Sequence, residues 1–264
     1  MAGDKLDPAQ LRRATVALLK HTQKQTSSSS KAQLLEQCEP IHLQIALRKI
    51  PERVSKKPIH LDVPHPLQSS SDCEMCLFVK DDTKPWVKQM LAEKPVEGLS
   101  KVMTLKKLRT AYKRFEQRRE LVAQYDLFLC DDRILPTMAK ALGSTFFKVK
   151  KQPVPVRLGP GRRDTLREQV ARARDGAQLR VGLGCTWAVK LATTAMAPDA
   201  VAENLAAGAA AAVQHVPGKW ANVVSMHIRT PDSVALPVYS DVGSLVGGAA
   251  PAAAAGAAAE EEWG

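Results

Sequence analysis

Hydrophobic and polar positions alternate in two different ways along the chain, and the difference predicts two kinds of region. Apolar side chains over residues 41–47 recur at every second position, as on a strand with one buried face. Residues 73–149 instead show apolar strand patterns that alternate with helical ones. That alternation is typical of a parallel sheet covered by helices. We therefore expect an α+β region and a Rossmann-like α/β region in one chain.

The region before residue 69 is predicted to begin with a helix. Asp7-Pro8 supplies an N-cap followed by proline at the first helical position, and an apolar stripe continues to about residue 24. Further predicted elements are a short helix over residues 31–38 and strands over 41–47 and 59–63. The polar segment 69–72 predicts the first domain boundary.

Residues 69–152 are predicted to form a Rossmann-like three-layer domain. Its predicted strands cover residues 73–79, 101–103, 126–130 and 146–149, and its predicted helices cover 84–93, 104–124 and 134–142. The helix over 104–124 is the longest of these. Its near-heptad stripe of apolar residues, from Leu105 to Val122, is expected to pack on the sheet.

Residues 153–242 return to a looser pattern and are predicted to complete the first domain. The predicted elements are a helix over residues 165–174, a hairpin of strands 179–183 and 186–193, a helix over 197–215, and strands over 223–229 and 234–239. With residues 1–68 they make a discontinuous α+β domain that holds the Rossmann-like domain as an insertion. Residues 243–264 are rich in Ala and Gly with an acidic end, so we expect a disordered tail.

The net charge gives the first indication of function. The chain has 38 Lys and Arg against 27 Asp and Glu, which gives a net charge of +11. An excess of this size favours a polyanionic partner, since each neutralised phosphate releases counterions. Solubility alone is the alternative explanation. The candidate RNA contacts form three clusters, namely Arg48, Lys49, Lys56 and Lys57; Lys106, Lys107, Arg109, Lys113, Arg114 and Arg118; and Lys148, Lys150, Lys151, Arg162 and Arg163. Each cluster is also compatible with an ordinary solvated surface.

Motifs for catalysis or metal binding are weak. Cys73-x-x-Cys76 has the spacing of two zinc ligands, but no second pair completes a site, so two structural strand cysteines are the preferred interpretation and no metal is predicted. No Gly-x-x-x-x-Gly-Lys-Ser/Thr loop or Gly-x-Ser-x-Gly elbow occurs, and no cofactor is predicted. Asp131-Asp132 follows a strand, where a cap on the next helix is the simpler explanation. A nucleotide-dependent enzyme is a remote alternative.

The composition also predicts a soluble intracellular protein. Residues 242–259 are the only long uncharged stretch, and their Ala and Gly are too weakly apolar for a membrane span. Five cysteines, an odd number, fit a reducing compartment.

Several motifs occur in the order and spacing of a known family. They are the segments 49–51, 61–65, 76–81, 104–107, 125–131, 143–156 and 235–239. Together they resemble the ribosomal protein L-one superfamily and, within it, the eukaryotic nucleolar ribosome-assembly branch. The resemblance covers residues 9–240, nearly everything but the tail.

The resemblance implies a non-enzymatic protein that binds ribosomal or precursor ribosomal RNA within nucleolar pre-ribosomes. It further implies a nuclear, nucleolar location, pre-ribosomal particle proteins as partners, and a monomer within the ribonucleoprotein. Ribosomal members contact RNA through a Thr-Met-Gly loop, and residues 229–233 correspond to that loop without keeping the motif. On this resemblance Arg229, Thr230 and Ser233 are nominated as RNA contacts. The departure argues against the alternative function, a structural protein of the large ribosomal subunit stalk.

Overall fold

A computed structural model describes residues 6–28, 38–52, 57–67, 73–158 and 166–241. The helices are α1 Pro8–Ser28, α2 Lys84–Glu93, α3 Leu105–Ala111, α4 Phe115–Gln124, α5 Leu135–Leu142, α6 Ser144–Lys148, α7 Leu166–Asp175 and α8 Pro198–Gln214. The strands are β1 Pro40–Leu47, β2 Ile59–Leu61, β3 Met75–Val79, β4 Leu99–Thr104, β5 Leu127–Asp131, β6 Val154–Val156, β7 Ala177–Leu179, β8 Thr186–Thr193, β9 Val223–Arg229 and β10 Leu236–Ser240. The described residues thus mix helices and strands, as predicted.

One sheet is antiparallel and has a single buried face. Its strand order is β10-β9-β1-β8. On β1 every second residue is buried, from Ile41 to Leu47, and the others are half-buried. The buried face packs with α1 and α8 in one hydrophobic cluster that includes Leu18 and Leu205. The one-by-one alternation that predicted β1 is therefore confirmed.

A second sheet is parallel and is buried on both faces. Its order is β4-β3-β5-β6, and every pairing is parallel. Phe78 on β3 packs into a cluster with α3 to α6. Leu77, the preceding residue, packs into another cluster with α2 and α7, which contribute Val87 and Val170. These two layers of helices around one sheet confirm the predicted three-layer architecture.

Two elements beyond residue 152, the predicted end of the Rossmann-like domain, lie with the parallel sheet. β6 pairs with β5, and α7 covers the parallel sheet through Leu166 and Val170, so both elements lie with this sheet. The chain then enters β7, which pairs with β2. The division into domains stays a prediction, for which we propose a second boundary near Gly176. The apolar residues Val154, Val156, Leu166 and Val170 belong to a hydrophobic cluster of the parallel sheet, which the local sequence pattern did not indicate.

The predicted helix over 104–124 is wrong, because the chain breaks between α3 and α4. At 100° per residue, Leu108 and Leu121 would point about 140° apart on one continuous helix. The break re-aims α4 so that both side chains are buried in the same cluster. Arg118 Nε donates a hydrogen bond of 2.9 Å to the Tyr112 carbonyl and holds the break. Phe115, expected on the buried stripe, is 65% exposed.

Two other predicted elements are also corrected. The strand predicted over 146–149 falls largely within α6, where Phe146 is buried and packs edge-on against Phe128 at 5.0 Å between ring centroids. Short apolar runs do not distinguish a strand from a buried helix. The hairpin predicted over 179–193 does not form, because β7 pairs with β2 and β8 pairs with β1. The β2–β7 pairing buries Leu61 and Leu179 in the antiparallel core.

Some predictions lie outside the described residues, namely the short helix over 31–38, apart from Cys38, the boundary segment 69–72 and the tail over 243–264. Among the helices that the structure does describe, none combines the length and apolar character needed to cross a membrane.

Candidate nucleic-acid interface

The polar face of the antiparallel sheet carries a transverse row of basic residues. Arg229 on β9, His42 on β1 and Lys190 on β8 are register partners in adjacent strands. Side chains directly opposite each other in paired strands share a face and lie about 5 Å apart at Cβ. All three are half-buried, while Ile41 and Leu43 beside His42 are buried on the core face. We call Arg229, His42 and Lys190 the basic row.

The positions that follow on the same face are polar or small. The next row is His227, Gln44 and Ala188, and the one after it is Ser225, Ala46 and Thr186. None of these six residues is buried. The face therefore offers hydrogen-bonding groups on small or polar side chains, which suits the sugar-phosphate surface of a folded RNA.

A neutral imidazole separates the two permanent cations of the basic row. Burial, followed by the charges of Lys150, Lys190 and Arg229, lowers the pKa of His42 to about 4. His42 is therefore uncharged at neutral pH. Like charges directly opposite each other on a sheet are destabilising, so the uncharged ring reduces the repulsion across the row. Lys150, with a left-handed backbone φ of 60°, adds a further cation near the row from the end of α6.

Lys190 is partly desolvated, and within the described structure Arg229 lacks one hydrogen-bond partner. Burial lowers the pKa of Lys190, although Asp126 opposes the shift. The Nε atom of Arg229 is buried and has no hydrogen-bond partner among the described residues. An unsatisfied buried donor is costly. A phosphate beside the row would relieve the charge repulsion, and it would satisfy Arg229 Nε only if that buried atom became accessible.

Only part of the third predicted cluster lies near the basic row. Lys150 lies near His42, and Lys148 is exposed on α6. Lys151 has a different role, since its Nζ donates to the carbonyls of Val122 at 3.1 Å and Tyr125 at 2.9 Å and so caps α4. Arg162 and Arg163 lie outside the described residues.

The predicted helix cluster is a separate surface. Five of its members are exposed on α3 and the following link, namely Lys106, Lys107, Arg109, Lys113 and Arg114. Arg118 is half-buried, with its guanidinium 5.8 Å from the centre of the Phe115 ring. Together with the bond to Tyr112, this contact gives Arg118 a structural role.

The first predicted cluster is divided between two places. Arg48 and Lys49 follow the far end of β1, roughly 20 Å along the strand from His42 at about 3.3 Å per residue. Arg48 forms an ion pair with Asp241 at 3.0 Å. Lys57 lies elsewhere, paired with Asp132 at 2.7 Å. Lys56 is outside the described residues.

The nominated RNA contacts in and beside the loop after β9 differ in their access to solvent. Thr230 is 0% exposed, and its hydroxyl has no hydrogen-bond partner among the described residues. Its backbone N–H donates to Ser233 Oγ at 2.9 Å, which closes the turn. Thr230 therefore cannot touch RNA directly in this conformation, whereas Arg229 lies in the basic row.

Sequence reasoning missed most of the interface. His42, Lys190, Gln44 and His227 were not nominated, because no run of basic residues marks them. Their signal is the period of two within β1, β8 and β9, which puts polar side chains on the face opposite the core. Only the strand register shows that His42 lies between Arg229 and Lys190.

The cysteine pair and the paired aspartates have structural environments. Cys73 and Cys76 belong to different hydrophobic clusters on opposite sides of the parallel sheet. Burial raises the pKa of their thiols to about 11 and about 12. Asp131 Oδ1 accepts a hydrogen bond of 3.2 Å from the Arg133 N–H, which closes the turn before α5 and does not cap the helix itself. Within the described ranges no group of His, Cys, Asp and Glu is arranged to hold a metal ion.

Comparison with known proteins identifies the family. The model of the Ribosomal protein L1p/L10e family matches residues 18–234. The chain belongs to this family. That assignment confirms the resemblance carried by the motifs.

Relatives within the family cover most of this chain. A Schizosaccharomyces pombe protein whose name refers to ribosome biogenesis is 32% identical over 249 residues, which is 88% of this chain and 65% of that protein. Mouse Ribosomal L1 domain-containing protein 1 is 28% identical over 242 residues, 89% of this chain and 52% of the mouse protein. The chain thus spans half to two thirds of these relatives. The large ribosomal subunit protein uL1 of Methanoregula boonei is 28% identical over only 89 residues, 34% of this chain and 40% of uL1.

Proposed function

We propose that this L1-family chain is a non-enzymatic RNA-binding protein of ribosome biogenesis, which binds ribosomal or precursor ribosomal RNA in nucleolar pre-ribosomes. The biogenesis role is supported by relatives named for ribosome biogenesis that match 88% or more of the chain. RNA binding is supported by the family and by the basic row.

The proposed binding mode rests on the charges and the burial of the basic row. Two cations flank an imidazole whose pKa is depressed, and Arg229 Nε is buried without an acceptor in the described structure. A folded chain that holds two cations beside a neutral ring gains from an anionic ligand, because the ligand neutralises charge. The phosphate backbone of RNA provides such oxygens at regular spacing.

The same face favours recognition of RNA shape over stacking of bases. None of the nine residues in the three rows is Phe, Tyr or Trp, and the rings of His42 and His227 are half-buried, which limits their use for stacking. Sheet-based recognition of single strands relies on aromatic side chains that stack with bases. Phosphate and 2′-hydroxyl contacts to structured RNA are therefore the expected mode.

RNA binding measured over a series of salt concentrations tests this proposal. We expect the logarithm of the affinity to fall steeply with the logarithm of salt concentration, because several phosphates are neutralised. Arg229→Gln should make the slope shallower by about 0.7 to 0.9. Lys88→Gln, which removes an exposed cation from α2, is the control and should leave the slope unchanged. A flat salt response of the unmodified chain would reject RNA binding.

A structural role in the large-subunit stalk is the alternative, favoured by the similarity to archaeal uL1. Sedimentation separates the two functions. We expect the protein in pre-ribosomal fractions and, by microscopy, in the nucleolus. Stable association with translating ribosomes would support the stalk function instead.

A further inference from the structure

A cleft lies between the β2–β7 pair and the edge of the parallel sheet formed by β6 and α7. Its volume is about 530 Å³. Sites for small molecules or for single groups of larger ligands commonly measure about 300 to 1,000 Å³. The cleft opens beside the carboxyl ends of β5 and β6, the edge where open α/β sheets bind ligands. It is distinct from the basic row and includes none of that row's residues.

One part of the cleft lining is apolar. Pro58, Val154, Pro155 and Ala173 contribute to it. Proline rings and short aliphatic side chains give flat apolar contact area without hydrogen-bonding groups of their own. Such a surface suits the face of a planar ring and has nothing to offer a bare phosphate.

Polar groups whose positions are fixed by the fold lie beside this apolar part. Gln178 Nε2 and His60 Nδ1 are 3.1 Å apart, and Gln169 Oε1 accepts a hydrogen bond of 2.9 Å from the Arg157 N–H. Burial lowers the pKa of His60, so that the ring is neutral at physiological pH. Gly176 packs so closely on His60 that a Cβ there would lie 2.1 Å from Cε1. These bonds hold both amides in place beside the apolar part of the cleft.

Cations exceed acids among the residues that line the cleft. Arg157 makes no side-chain hydrogen bond or ion pair within the described parts of the chain. Arg172 donates to both oxygens of Asp62, at 3.1 Å and 2.9 Å. That pair is exposed, with 62% and 74% of the two side chains accessible. The bidentate geometry strengthens this pair but solvent screens it at such exposure, so a phosphate in the cleft would compete with Asp62 for Arg172.

One acceptor of the cleft is unsatisfied. Asp132 Oδ2 bonds Lys57, but Asp132 Oδ1 is buried and has no partner among the described residues. A ribose hydroxyl or the exocyclic amine of a base is the kind of donor that would satisfy it.

We propose that the cleft receives one unpaired nucleotide of the bound RNA. The base lies on the apolar part with its edge at Gln169 and Gln178, and the phosphate lies between Arg157 and Arg172. A phosphorylated peptide would use the arginines but would leave the apolar surface and both amides without ligand groups. This inference rests on the proposed RNA-binding function, because it assigns part of the RNA to a second place on the protein.

Titration of the full chain with ribonucleoside 5′-monophosphates and with inorganic phosphate tests the cleft independently of RNA. We expect at least one monophosphate to bind about tenfold more tightly than phosphate, since the base adds apolar contact and hydrogen bonds. Arg157→Ala should weaken that binding about tenfold, as expected for loss of a charge-assisted bond. Arg157 is exposed, so the variant should fold. Arg167→Ala, another exposed arginine near the start of α7 and outside the cleft lining, is the matched control.

RNA hairpins with and without one bulged nucleotide then separate this inference from the general function. Arg157→Ala should lower the affinity for the bulged hairpin about tenfold and leave the fully paired one unchanged. Arg229→Gln should lower both. The nucleotide inference would be overturned if the monophosphates bound no better than phosphate. It would also be overturned if a phosphopeptide bound more tightly than every monophosphate. Neither result would affect the proposal of RNA binding. Loss of RNA binding with intact monophosphate binding would overturn the general proposal.

Discussion

The antiparallel and parallel sheets of this protein use their side chains differently. On β1 of the antiparallel sheet, burial alternates residue by residue, and one face is left for polar groups. On β3 of the parallel sheet, all five residues are buried. A sheet covered by helices on both faces has only its edges for binding, whereas a sheet covered on one face has a broad surface. The basic row lies on such a surface, and the cleft lies at such an edge.

The largest effect is expected for loss of a buried aromatic side chain from the parallel sheet. Phe128 is 1% exposed and stacks on Phe78 with 5.8 Å between ring centroids. Phe128→Ala should lower the free energy of unfolding by about 3 to 5 kcal/mol, because it removes buried area and leaves a cavity. Phe115→Ala, at a 65% exposed position, is the control and should change it by less than about 1 kcal/mol. Denaturant unfolding measures both, and equal losses would contradict the assignment of the core.

The polar face of the antiparallel sheet should dominate RNA affinity over the basic helix α3. Combining Arg229→Gln with Lys190→Gln should weaken RNA binding about a hundredfold at constant salt, if each residue contributes one charge-assisted contact. Combining Lys106→Gln with Lys107→Gln removes the same charge from α3 and should weaken binding by less than about threefold. Fluorescence anisotropy measures both, with thermal unfolding as a check on folding. The reverse order would move the interface to α3.

The stability of the protein should depend on pH, because His42 in the basic row is half-buried. Because the pKa of His42 is lowered to about 4 from its ordinary 6.5, the unfolded chain binds this proton more readily than the folded chain. Stability should therefore fall as pH drops from about 6.5 to about 4, by about 1 kcal/mol after allowance for the solvent exposure of the ring. His42→Gln should remove that component, and the same change at the exposed His215 should not. An unchanged pH profile in His42→Gln would place the ring in a more solvated site.

The smallest effect is expected at the ion pair that joins the two sheet regions. Lys57 Nζ lies 2.7 Å from Asp132 Oδ2, and 56% of the lysine side chain is exposed. Solvent screens such pairs, so Lys57→Ala should change the free energy of unfolding by less than about 1 kcal/mol. A larger loss in chemical denaturation would mean that this pair, and not the apolar clusters, holds the regions together.

The elements that could be predicted from sequence are those with a local cause. The period of two in β1, the proline that opens α8 and the apolar run of β5 each reflect a neighbourhood of a few residues. The family resemblance also followed from local motifs. The elements that were wrong are those in which distant contacts override the local pattern. Leu108 and Leu121 reach one core only because α3 and α4 separate, and Phe146 packs on Phe128 from a helix.

By itself, the amino-acid sequence determined the fold class, the family and the cationic surplus, because composition and periodicity do not depend on where distant residues meet. Only the tertiary structure showed which cations lie next to each other. Positions 42, 190 and 229 become neighbours through strand register, and positions 57, 157 and 172 border one cleft through sheet packing. Register and packing are set by the burial of the opposite, apolar face. The polar side chains proposed to bind RNA are therefore placed by apolar residues on the opposite face of the sheet.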